Sequence, residues 1–210
     1  DATATATLIA ASGDHAAATG INSTTSGVTN AASGENSTAG GANSAASGEN
    51  SSAYGNGTQS VGDNSVAIGN TSAANGNNSY AGGNASVTNG NNSVALGNTN
   101  TANGNSSVAI GDTNVATGDN GFAGGSFNSS VGDSTIALGN ANTANGVNSI
   151  AEGHDNLTDL TAAEAIALGT SNHAIGSGSI AEGTLNVSTG ELSIAQGYQN
   201  AANGDDSVGL

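Results

Sequence analysis

Glycine falls at position 13 and then at every seventh residue to 153 without a miss. After a gap of 16 the grid resumes at 169 and keeps step to 204. Of the 34 glycines, 27 stand on it. Catalysis needs a constellation of residues once, whereas a spacing that recurs describes how a chain is wound. Glycine at every seventh position costs about 1 kcal/mol each in a helix. The apolar a and d positions with charged flanks that a coiled coil wants are missing.

Two kinds of seven alternate. Before Gly69, Gly97, Gly111 and Gly139 stand Val-Ala-Ile, Val-Ala-Leu, Val-Ala-Ile and Ile-Ala-Leu. Before Gly76, Gly104 and Gly146 stand Ala-Ala-Asn, Thr-Ala-Asn and Thr-Ala-Asn. The repeat is therefore 14 residues, one aliphatic seven and one polar seven. Ser-Val-Ala-Ile-Gly alternates large and small side chains, the period of a strand. Gly followed by Asn or Asp is turn chemistry. The expected coil is strand, turn, strand, turn, with successive coils pairing in parallel.

Side-chain volumes compensate within the repeat. Where an aromatic stands three before the grid glycine, the residue just before that glycine is itself glycine, as in Tyr80-Ala81-Gly82-Gly83 and Phe122-Ala123-Gly124-Gly125. Residues two apart share one side of a strand, so the trade implies one filled space. We expect Val66/Ile68, Val94/Leu96 and Val108/Ile110 to be buried, either in the roll interior or against an axis between chains, with the middle Ala facing the other way and also confined. Aliphatics are too few per coil to offset the ordering of the backbone, so neighbouring rods are expected to share a core.

Composition narrows function. The chain of 210 residues has 16 acidic residues, no Lys or Arg, and no Cys. Nucleic-acid binding, anionic-lipid binding and arginine clamps all lack their cations. No disulfide framework or thiolate metal site is possible. No stretch reaches the length of a membrane span and no signal peptide is recognisable. The sequence reads as a piece of a longer protein.

Asn64-Ser65-Val66-Ala67-Ile68-Gly69-Asn70-Thr71-Ser72 resembles, position for position, the NSVAIGxxS phrase of YadA-type heads of trimeric autotransporter adhesins, and the repeat runs from about residue 13 to 210. The resemblance implies a left-handed parallel β-roll, an all-β solenoid of 14-residue coils, with three chains around a common axis. It implies display on the bacterial cell surface, outside the outer membrane, with no membrane contact by this stretch. It further implies attachment to host matrix proteins (collagen, fibronectin or laminin) or host-cell receptors. By that resemblance Asn64, Ser65, Val66, Ala67, Ile68, Gly69 and Ser72 are candidate ligand contacts. A structural spacer without its own ligand site is the alternative. An ice-binding face would need a regular Thr ladder, which Thr99, Thr101, Thr113 and Thr143 do not make.

Residues 1–60 keep the glycine grid but carry Thr-Thr-Ser-Gly, Ala-Ala-Ser-Gly and Thr-Ala-Gly-Gly where aliphatics would sit, and are expected to be thinner or more frayed; residues 61–210 are regular. The one break in the grid adds two residues within 154–162, expected as an outer bulge that deletion of Thr158 and Asp159 would remove. His154, Asp155 and Asp159 in this loop are candidates for a ligand or cation contact. No triad, cofactor site or metal site is read elsewhere: the three histidines are isolated, and Asp63, Asp112, Asp119 and Asp133 look scattered. Glu152 and Glu182 occupy places where Ile or Leu usually precedes the glycine.

Overall fold

A computed structural model describes residues 3–4, by backbone alone, and 9–210. It is all β, with no helix among the described residues and about 14 turns of parallel solenoid. Two compact units are distinguished, Asp1–Asn105 and Ser106–Leu210.

In the N-terminal unit, the five-residue strand Val66–Asn70 pairs in parallel with Ser52–Asn56 on one side and Tyr80–Asn84 on the other. The two-residue strand Ala73–Ala74 pairs in the same way with Gln59–Ser60 and Val87–Thr88. The C-terminal unit repeats the plan. Ile136–Asn140 lies between Phe122–Ser126 and Ile150–His154, and Thr143–Ala144 between Ser129–Ser130 and Leu157–Thr158. Each coil is thus one long strand and one short strand, and every partner lies one coil away in sequence.

The interior of the roll belongs to the middle alanine. Ala67, Ala81, Ala109, Ala137 and Ala151 of the long strands are fully enclosed. The large aliphatics beside them point out: Val66 and Val108 are only half-buried, and Ile68 and Ile110 are 40% exposed. Two sheets one coil wide close on each other too tightly for anything beyond Ala, Ser, Thr or Asn. The volume trade survives in its new place: a Cβ on Gly82 would lie 2.9 Å from the Tyr80 ring, and one on Gly124 2.7 Å from the Phe122 ring. The shared space is outside the roll.

The grid glycines have a steric cause. A Cβ on Gly62 would meet the Gly76 carbonyl oxygen at 2.1 Å, and one on Gly118 the Gly132 oxygen at 2.0 Å, so backbones of successive coils touch there. The left-handed turn residue is not the glycine's neighbour but the residue two beyond it: Asn64, Thr71, Asn78 and Asn92 all have φ near 55°. Asn tolerates this region best among non-glycine residues. The amide of each such residue is held by the coil before it, as when Asn78 donates to the Asp63 carbonyl at 2.8 Å.

Residues 24–60 wind as the later coils do. Thr24–Val28, Thr38–Ala42 and Ser52–Asn56 have the same five-residue length as later strands. Their interior holds Ala32, Ala39, Ala46 and Ala53, and the missing aliphatics would have faced outward. Residues 1–8, apart from the backbone of 3–4, lie outside the described residues.

Candidate functional site: the outward faces of the coil

The motif at 64–72 divides between inside and outside. Ser65, Ala67 and Ser72 are fully enclosed. Ser65 Oγ donates to the Gly62 carbonyl, and Ser72 Oγ to the Gly83 carbonyl at 3.1 Å. Gly69, at φ 120°, fills the backbone contact to Gly83. The enclosed Ser65, Ala67 and Ser72 present no side chain to a ligand, a correction to the candidate set, while Gly69 is half-buried. Asn64, Val66 and Ile68 are what this phrase shows to the outside.

The candidate loop separates into two places. His154 ends the strand Ile150–His154 and Asp155 opens the turn after it, both exposed, and Asp155 Oδ2 accepts from Ser171 Oγ at 3.4 Å. Asp159 sits beyond the short strand Leu157–Thr158, in the opposite turn, where its Oδ1 accepts the Leu160 amide at 2.6 Å. Its other oxygen lies 3.9 Å from His173 Nε2, so the carboxylate's histidine neighbour is His173 and not His154. No group of three His, Asp or Glu side chains with metal-ligand geometry occurs among the described residues.

The two extra residues are Leu160 and Thr161. Asp159 keeps register, its amide donating to the Ala174 carbonyl at 3.0 Å as Val131 donates to Ala144 at 2.8 Å. Ala162 then takes the place of the grid glycine, and Glu164, at φ 59°, that of the left-handed turn residue. Leu160 is 69% exposed. Thr158 is interior: its Oγ1 accepts the Asn145 amide at 3.0 Å and pairs with Ser149 Oγ at 2.8 Å.

Two features were not foreseen. The first is a buried ladder of Asn114, Asn128, Asn142, Asn156, Asn172 and Asn186. Each Nδ2 from Asn128 to Asn186 donates to the Oδ1 one coil before it at 3.0 Å. The same amide nitrogens reach main-chain carbonyls, as Asn142 does to Leu138 at 2.9 Å and Gly153 at 2.8 Å. The 14-residue recurrence of these asparagines was the available signal.

The second is that the acids are not scattered. Glu49 and Asp63 stand in consecutive turns, with Asp63 Oδ1 accepting the Glu49 amide at 2.9 Å. Asp119 with Asp133 and Glu191 with Asp205 repeat the arrangement at 2.9 and 3.0 Å. Asp112 belongs to the opposite turn.

A parallel solenoid with 14-residue coils, grid glycines at its backbone contacts and aliphatics on its outside defines a class of stacked-repeat proteins. The YadA head domain repeat model matches residues 11–44, 32–58, 60–84, 74–100, 102–128, 130–156, 161–186 and 188–208, and the chain belongs to that family. The family is a structural adhesin domain, the head of trimeric cell-surface autotransporters. Comparison with curated proteins gave no match.

Proposed function

We propose that this chain is the head of a bacterial surface adhesin: left-handed rolls, three copies around a common axis, attaching the cell to host matrix proteins such as collagen, fibronectin or laminin, or to host-cell receptors. The observation that carries this reading is the outward aliphatic column of the C-terminal unit. Val108, Phe122, Ile136, Ile150, Ile166 and Ile180 follow one another in register along one face of one chain. Water-exposed rows of this kind mark an association surface. Association of copies through it leaves the turns and the short-strand face to the host, where repeated weak contacts supply avidity. Asn64 on the turns, and the His154–Asp155 and Asp159 corners, are the proposed ligand-facing groups; Val66 and Ile68 belong to the association face.

The test has two parts. Light scattering on the full chain is expected to give a trimer, and Ile166→Asp a monomer. A binding screen against collagen, fibronectin and laminin at varied salt separates an adhesive head from a spacer. Binding that fades gradually as coils are removed supports the first; none to any matrix protein or host cell supports the second.

A further inference from the structure

The long-strand face of the C-terminal unit carries two columns. One is the isoleucine column just described. The column beside it reads Leu138, Glu152, Leu168, Glu182 and Gln196 in consecutive coils. Two carboxylates therefore stand inside an otherwise apolar and amide-bearing strip. Glu152 lies between two leucines, and Glu182 lies between Leu168 and Gln196, whose Nε2 donates to Glu182 Oε2 at 3.0 Å. Both glutamates are exposed in the single chain. On their own strands and the neighbouring ones, the other titratable groups are His154, two residues beyond Glu152, and Tyr198, two beyond Gln196.

The proposed trimer buries this strip, and the inference rests on that reading. An ionised carboxylate moved against apolar surface needs a counter-charge or a proton. The chain contains no Lys or Arg, so another copy of it can supply no permanent cation to either glutamate. A proton removes the charge without any partner, and a neutral Glu182 still accepts from Gln196 through its carbonyl oxygen. We propose that self-association through this face is proton-linked, with Glu152 and Glu182 entering the interface as carboxylic acids.

The sign follows directly. The assembled state holds more protons than the separated chains, so association tightens as pH falls and weakens as pH rises. Each proton taken up changes the association constant about tenfold per pH unit over the range where uptake occurs.

The experiment is sedimentation equilibrium of the full chain from pH 5 to 8 in the presence of a chelator. The expected result is a wild-type association constant that falls at least about tenfold per unit over part of this range. Glu152→Gln with Glu182→Gln is expected to associate at pH 8 as wild type does at pH 5, with the slope gone. Asp133→Asn with Asp205→Asn keeps the turn acceptors, removes as much charge, and is expected to keep the wild-type slope. His154→Asn is also expected to keep it. A wild-type slope in the glutamate double variant overturns the proposal. So does loss of the slope in His154→Asn, or tight, pH-independent assembly at pH 8 that calcium restores after chelation. A wild type that is monomeric at every pH, or an Ile166→Asp trimer, removes the assembly reading itself. A trimer with no slope removes only the proton linkage.

Discussion

At the corner that follows each long strand, the N-terminal unit places Asn30, Ser44, Thr58, Ser72, Ser86 and Asn100, while the C-terminal unit places asparagine from Asn114 to Asn186 without exception. In the outer column that opens each long strand, the first unit has Thr24, Thr38 and Ser52 before Val66, and the second is aliphatic or aromatic from Val108 to Ile194. Strand lengths and the 14-residue register are nonetheless the same in both. What the units share in most coils is the enclosed alanine, the buried serine or threonine before the long strand, and glycine where backbones touch; Thr25, Gly121, Ala165 and Ala162 stand in at single places. What they do not share is dispensable for winding a coil. The outer face is free to serve assembly, and the corner is free to add stability where amides can stack.

The sharpest break in this comparison is between inside and outside at adjacent residues. Ala109→Asp puts an unpaired carboxylate into a space closed on all sides, and no folded protein is expected by circular dichroism at any temperature. Val108→Asp, one residue away on the outer face, is expected to leave a β-rich chain that no longer assembles. Thr38→Asp, the equivalent outer position of the N-terminal unit, is expected to leave both fold and assembly in place. An unfolded Val108→Asp would mean that the outer column is needed to wind the coil.

The second break concerns the corner. Asn142→Ala removes the donor to the Leu138 and Gly153 carbonyls and the acceptor of the Asn156 amide and side chain. Several buried groups are left unpaired at once, at about 1–3 kcal/mol each. Ser72→Ala removes one bond, to Gly83, and should cost about 1 kcal/mol. Denaturant midpoints that move equally in the two variants would show the asparagine stack to be no stronger than isolated hydroxyls.

A smaller effect tests the turns. Phe127 holds a left-handed conformation at φ 58° with its ring 59% exposed, whereas the matching turn of the N-terminal unit has Gly57 at φ 66°. Phe127→Asn relieves that strain and is expected to raise stability by up to about 1 kcal/mol. Gly57→Thr should lower it by a similar amount. Thermal melts of the two variants in opposite directions are the check.

Much of the coil was legible because its signals are periodic. The glycine grid set the 14-residue register, and Tyr80 with Gly82 and Phe122 with Gly124 correctly announced a shared space. The side of the strand was not legible. Alternation says that Val66 and Ala67 point opposite ways, but not which direction is inward, so the sequence left open whether the aliphatics face the roll interior or an axis between chains. Only the coil's narrow bore decides it, and that follows from how closely the two sheets approach. The asparagine ladder was missed for a related reason: asparagine is so common here that its 14-residue recurrence at one buried corner does not stand out until the coils are stacked. Within the motif read as a contact surface, Ser65, Ala67 and Ser72 face in and Gly69 is half-buried at a backbone contact.

The smallest expected effect comes from the one place where the two units differ in length. Leu160 and Thr161 lie outside the register, between Asp159 and Ala162, both of which occupy regular positions. The asparagine ladder crosses this coil unaltered, Asn172 Nδ2 meeting Asn156 Oδ1 at 3.0 Å. Deleting Leu160 and Thr161 together, with Ala162→Gly to restore the backbone contact, should therefore shorten a turn and nothing else. Loop closure changes by only a few tenths of a kcal/mol for so short a difference, and removing a largely exposed leucine adds little. Deleting Thr158 and Asp159 instead takes out a short-strand residue whose hydroxyl is bonded to both Asn145 and Ser149, and should lower stability by several-fold more. Deleting Thr101 and Ala102 from the N-terminal unit, which has no spare residues, should be as damaging. Equal denaturant midpoints for the first and second deletions would place the extra residues elsewhere in the coil. A first deletion that folds and assembles as wild type but no longer adheres to a matrix protein would identify the Leu160 bulge as part of the host-binding surface.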